Sequence, residues 1–84
     1  MKYTQNQVKD SIMFFAEQFG LTKSYKALID SGLALPELVK FMVYEMFLQK
    51  FSSYGCDDFS YENYKIIHRY ATDLKTNGFV IFED

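Results

Sequence analysis

The residues best suited to chemistry are a single cysteine and a single histidine, Cys56 and His68, with Asp57 and Asp58 directly after the cysteine. A nucleophilic thiolate needs a base, which His68 could supply, and an acid to orient that base. The sequence has no second histidine and no oxyanion-type glycine loop beside Cys56. One cysteine and one histidine also give no recognisable metal-ligand spacing. We therefore expect no enzymatic activity, no cofactor and no bound metal.

A second candidate site is Asp30-Ser31, followed by Glu37-Leu38-Val39. It resembles the Asp-Ser-Leu site of acyl carrier proteins, which are also small, acidic, helical domains. The resemblance implies phosphopantetheine on Ser31. Gly32 stands where that family has leucine, and one extra residue precedes the Glu-Leu-Val. Residues 22–30 also read as helix where the family has a long loop, so a carrier protein is not favoured.

Residues 22–50 could instead form a helix-turn-helix that binds DNA. Gly32 lies where that motif has its turn, but Leu28 occupies the place of the usual small residue. The second helix of the motif offers Glu37 and Lys40 and then becomes apolar. A recognition helix exposes hydrogen-bonding side chains to base edges, so this interpretation is an alternative rather than the first choice.

Charge and composition exclude further classes of protein. The net charge is −2, and residues 55–84 carry six acidic against three basic residues. Nucleic-acid binding usually needs a strongly basic patch, which the sequence lacks. A single cysteine allows no internal disulfide, the N-terminus lacks the apolar stretch of a signal peptide, and no apolar run is long enough to span a membrane. We expect a cytoplasmic protein.

The hydrophobic periodicity predicts an all-α fold: one domain, residues 1–84, with three longer helices, one short helix and an extended C-terminal tail. Thr4 and Gln7 have the spacing of a capping box at the start of the first helix. Pro36 suits the start of the third. The expected helices cover residues 5–19, 23–30, 36–53 and 61–76, and the tail covers 79–84.

The third helix is apolar around most of its circumference. Its polar residues are expected to share one narrow stripe: Glu37, Lys40, Glu45, Gln49 and Ser52. A helix of this kind is normally buried. It is therefore either the central helix of the bundle or a helix that packs on a second copy of the chain.

Aromatic side chains are abundant, with nine Phe, seven Tyr and no Trp, which is more than a core of this size needs. We expect some of these rings to lie at the surface and bind a partner protein, with acidic residues selecting a basic partner surface. The tail could dock on the helices or add to a partner. The predicted partner-binding residues are Tyr54, Asp57, Asp58, Phe59, Tyr61, Glu62, Tyr70, Phe79 and Phe82.

The sequence thus favours a small cytoplasmic protein–protein interaction module. It would act as a regulator or inhibitor by occluding or bridging a partner, and it would self-associate. An abundance of residues with AT-rich codons also fits a low-GC genome, such as that of many bacteria and their phages, so a phage or a mobile element could encode it. Beyond these partial resemblances, the sequence is not similar enough to any known family to be placed in it.

Overall fold

The computed structural model describes residues 3–49 and 58–83, with the side chains of Asp58 and Phe59 left out. Four helices account for most of these residues, and the described part of the chain contains no strand. The all-α fold is confirmed, with three longer helices and one short one. The helices are α1 Gln5–Gln18, α2 Thr22–Asp30, α3 Leu35–Leu48 and α4 Asp58–Asn77.

Local sequence explains most of the helix ends. The Thr4 hydroxyl accepts a hydrogen bond from the Gln7 backbone, and the Gln7 amide accepts one from the Thr4 backbone, so the predicted capping box is present. Gly20 and Gly32 follow α1 and α2 with φ of 73° and 86°, which favours glycine over residues with a side chain. The boundary at Gly32 was thus correctly predicted.

Two predicted boundaries differ from the structure by more than one residue. α3 ends at Leu48 rather than at 53, and residues 50–53 of that prediction lie outside the described residues. α4 begins at Asp58, three residues before the predicted start. The composition of residues 58–60 is typical of a turn, but aspartate is also favourable in the first turn of a helix.

All four helices contribute to one core. α4 packs against both α1 and α3, and α2 packs against α1 and α3. α1 buries Ile12 and Phe15, α3 buries Leu38 and Met42, and α4 buries Ile67. Burying side chains of this size contributes roughly 2 kcal/mol each, so this cluster is the main source of stability.

The two ends of the described chain are tied together. The Glu83 backbone N–H donates to the Tyr3 carbonyl at 3.0 Å, and the Tyr3 ring contacts both Tyr70 and Phe82. Val80 also packs against the core, whereas Phe79 and Ile81 are exposed. The tail therefore docks on the bundle with one set of alternating side chains and presents the other set to solvent.

The interpretation of α3 as the buried central helix is wrong. Only its inner face is buried, and the outer side chains from Phe41 to Leu48 are exposed. The polar residues also do not share one stripe. Lys40 lies beside α4, whereas Glu45 is half-buried and close enough to Tyr25 of α2 to affect its pKa. The reason is geometric, because a step of five residues turns a helix by about 140° beyond one full turn.

Candidate functional site

The outer side of α3 exposes a continuous apolar surface. No charged side chain occurs on this side between Lys40 and Gln49, since Glu45 lies toward α2. Phe47 is 76% exposed, more than any other large apolar residue of the described chain. Exposed apolar patches of this kind often mark binding sites on small proteins. The exposed apolar residues of α3 are Phe41, Val43, Tyr44, Phe47 and Leu48.

Part of this surface borders a cleft between α3 and α4. The cleft comprises two adjoining hollows of about 410 and 340 Å³, and Val43, Ala71 and Lys75 line both of them. Val39 and Lys40 of α3 face Leu74 near the end of α4, whereas Phe47 lies beside Tyr64 and His68 further back along α4. The two helices therefore run in opposite directions along the cleft.

The charge of the cleft differs from that of the whole chain. The protein is acidic, but among the described residues the charged side chains that line the cleft are lysines: Lys40 and Lys75, which both border the hollow at one end. Lys40 forms an exposed ion pair with Glu37 at 3.5 Å, which contributes little energy in water. At the other end His68 stacks on Tyr64, with ring centroids 5.7 Å apart. The cleft is thus an apolar channel with a basic end.

The remaining exposed apolar residues of α3 form a separate row, which we call the outer stripe: Phe41, Tyr44 and Leu48. These residues are three and four positions apart, so they lie on one side of the helix. None of them lines the cleft. Each is about half exposed. α3 therefore presents two apolar rows, one beside α4 and one facing away from it.

The structure describes the side chains of only some of the binding residues predicted from sequence. Tyr54 and Asp57 lie outside the described residues, as do the side chains of Asp58 and Phe59. Tyr61 is exposed, as expected, and Lys65 lies over its ring at 4.9 Å. Lys65 also pairs with Glu62 at 2.9 Å, so that carboxylate already has a cationic partner.

The expectation that the Tyr70 ring is exposed is wrong. Tyr70 is only 2% exposed, and it packs against Phe82 with ring centroids 5.8 Å apart. Phe82 is itself half-buried, whereas Phe79 is exposed. Tyr61 and Phe79 lie toward opposite ends of α4, which is roughly 24 Å long between Tyr61 and Asn77. The predicted residues whose side chains the structure describes thus do not form one surface patch.

Sequence reasoning missed the exposed rows of α3. It offered burial in the bundle or packing on a second copy, without identifying which residues a single chain leaves exposed. A helix on the edge of a small bundle has only one side to bury. One signal was present in the sequence. Leu38, Met42 and Met46 already provide a complete inner row, which leaves Phe41, Tyr44, Phe47 and Leu48 without a place in the core.

The described residues provide no further evidence for a catalytic site at Cys56 and His68 or for a carrier-protein site at Ser31. Cys56 lies outside the described residues, and His68 is exposed on α4. The Ser31 hydroxyl donates to the Leu28 carbonyl at the end of α2. Within residues 3–49 and 58–83, no group of three or more potential ligands could hold a metal ion, and no helix has the length and hydrophobicity to cross a membrane.

Comparisons with known proteins do not assign the chain to a family. No family model matches it, and neither a curated protein nor a solved structure matches it.

Proposed function

We propose that this protein is a protein–protein interaction module that binds a partner through the cleft between α3 and α4. The observation that carries the proposal is the exposure of Phe47 beside that cleft. A large ring held at 76% exposure costs free energy in water, and aromatic anchors dominate binding energy at protein interfaces. By covering a surface of its partner, the module acts as a regulator or inhibitor.

The shape and charge of the cleft favour a particular partner. An open channel between two antiparallel helices accommodates the apolar face of a third helix. Because Lys75 lines both hollows and none of the described lining residues is acidic, the partner helix carries acidic side chains near Lys75. This partner differs from the basic one expected from sequence. Of the acidic residues in that prediction, Glu62 already pairs with Lys65, and the side chains of Asp57 and Asp58 lie outside the described residues.

The DNA-binding alternative receives less support. α3 would be the recognition helix, and Lys40 is the only exposed lysine or arginine within Leu35–Leu48. Its exposed side otherwise carries mainly apolar side chains, which cannot read the hydrogen-bonding pattern of base edges. A protein partner suits this surface better than DNA.

The test is a pull-down of the tagged protein from a lysate of the source cells, with and without nuclease. We expect a stoichiometric protein that survives nuclease treatment and is lost with Phe47→Glu. Lys75→Glu should weaken the interaction by about tenfold and reduce its dependence on salt. The control is Lys26→Glu, which reverses an exposed charge on α2, away from the cleft.

Two outcomes would overturn the proposal. Capture that is equally strong with Phe47→Glu would remove the cleft from the interaction. Capture of nucleic acid, weakening steeply as salt rises, would favour the helix-turn-helix. Circular dichroism should show that each variant keeps its helical content, since all three positions are exposed.

A further inference from the structure

The outer stripe of α3 has the spacing of a helix–helix seam. Phe41, Tyr44 and Leu48 follow one another at intervals of three and four residues, the intervals that bring apolar side chains together where two helices pack side by side. The stripe faces away from α4 and is absent from the lining of the cleft. We propose that it packs against the same stripe of a second copy of this chain, with the two α3 helices antiparallel.

The charge distribution of α3 allows a second copy to be the occupant. A two-fold symmetric interface packs a surface against its own copy, so a stripe that carried charges of one sign would repel itself. The outer side of α3 between Lys40 and Gln49 carries no charge, because the only acidic residue of this segment, Glu45, lies toward Tyr25. Two identical stripes can therefore meet without like charges facing each other.

Charge selects the antiparallel arrangement. Glu37 and Lys40 form an ion pair on the turn before the stripe. In a parallel pair of helices, Glu37 would lie beside Glu37 and Lys40 beside Lys40. An antiparallel pair places the two copies of these residues at opposite ends of the interface. It also aligns the two helix dipoles antiparallel, which is the favourable arrangement. The two-fold axis then passes close to Tyr44, at the middle of the stripe.

The exposed area fits a dimer of modest affinity. Half-exposed rings such as Phe41 and Tyr44 each leave roughly 100 Å² accessible, and Leu48 brings the apolar area of the outer stripe to roughly 300 Å² per copy. A standard interface buries about 800 Å² per partner, of which somewhat more than half is apolar. The patch thus supplies most of the apolar core of a small interface, and we expect a dissociation constant near the micromolar range.

Sedimentation equilibrium of the full chain tests the inference directly. We expect a reversible shift with concentration from the monomer mass of 9.9 kDa to twice that mass. Tyr44→Glu should keep the protein monomeric, because it places two carboxylates near the axis. Leu48→Lys is a second such variant in case Tyr44→Glu does not fold. Ile81→Glu is the matched control, since Ile81 is an exposed apolar residue on the tail.

A disulfide experiment tests the arrangement of the helices. In a Cys56→Ser background, oxidation should cross-link Tyr44→Cys to its own counterpart. Phe41→Cys should cross-link much less, because the antiparallel pairing separates the two copies of residue 41 by roughly 10 Å along the axis. Equal cross-linking at both positions would mean a parallel pair and overturn the arrangement.

Two results would contradict the proposed dimer. A wild-type chain that stays monomeric at every accessible concentration would overturn it. Loss of the dimer with Ile81→Glu but not with Tyr44→Glu would assign self-association to the tail instead. Neither result bears on partner binding at the cleft, which depends on Phe47 and Lys75.

Discussion

The Tyr3 hydroxyl donates a hydrogen bond to Oδ2 of Asp73, 70 residues further along the chain, at 3.0 Å. Nε of Arg69 lies 3.3 Å from the other oxygen of the same carboxylate. Burial of Tyr3, together with the neighbouring Asp73, raises the pKa of its hydroxyl well above the ordinary value. The N-terminal segment is therefore fixed to α4 by a buried ring with a satisfied polar tip.

This contact predicts that Tyr3→Phe destabilises the protein. The variant keeps the ring and its packing but removes the hydrogen bond to a carboxylate, at an expected cost of about 1 to 2 kcal/mol in the free energy of unfolding. For a chain of this size the melting temperature should fall by about 4 to 8 °C for each kcal/mol. Denaturant unfolding followed by circular dichroism measures the change.

Tyr61→Phe is the matched control for this measurement. It removes the same hydroxyl from an exposed ring. Its free energy of unfolding should stay within about 0.5 kcal/mol of the wild type. If the two variants are equally stable, the Tyr3–Asp73 hydrogen bond contributes nothing to the fold.

The docked tail gives a second prediction. Phe82 contacts the rings of Tyr3 and Tyr70, whereas Phe79 is exposed. Phe82→Ala should therefore lower the free energy of unfolding by about 1 to 3 kcal/mol, less than for a fully buried phenylalanine. Phe79→Ala should change it by less than about 0.5 kcal/mol. Thermal unfolding of both variants separates the roles, and a larger loss with Phe79→Ala would contradict the observed docking.

The helices were predictable because their local signals agree with one another. The capping box at Thr4 and Gln7, the glycine at 32 and the proline at 36 each favour the same boundary as the hydrophobic period nearby. Local preference and tertiary packing do not conflict at these positions. This consistency explains why the all-α fold could be read from one sequence.

The exposed surface could not be predicted in the same way. Whether a ring is buried depends on which helix is packed against it, and periodicity does not reveal which helix lies at an edge. Tyr70 and Tyr44 both follow helical apolar patterns, yet the first is buried and the second exposed. Similarly, the cleft between α3 and α4 depends on residues such as Val43 and Lys75, which are far apart in sequence.

The buried hydroxyl of Tyr25 leads to a third prediction. Tyr25 is only 3% exposed, and its hydroxyl has no hydrogen-bond partner among the described residues. A buried polar group without a partner carries a desolvation cost of about 1 to 3 kcal/mol. Tyr25→Phe removes that cost while keeping the ring, so the free energy of unfolding should rise by about 1 kcal/mol.

Chemical denaturation of Tyr25→Phe provides the check, with Tyr3→Phe measured beside it. The two substitutions are chemically identical and both positions are buried, but they should change stability in opposite directions. A loss of stability in Tyr25→Phe would mean that the hydroxyl does have a favourable interaction in solution.

Alkaline pH should unfold the protein because its buried tyrosines resist ionisation. Burial, with a further contribution from Glu45, raises the pKa of Tyr25 to about 12, and burial also raises the pKa of Tyr70. A tyrosine in the unfolded chain ionises at about pH 10, so the unfolded chain loses protons first. The free energy of unfolding therefore falls as pH rises from about 10 to 12. Below pH 10 this contribution is fully present.

Tyr25→Phe removes one such group, so the denaturation midpoint of the variant should fall less steeply between about pH 10 and 12. Denaturant titrations at several pH values, with tyrosinate absorbance recorded in parallel, test this, and identical slopes for both proteins would contradict the assignment to Tyr25.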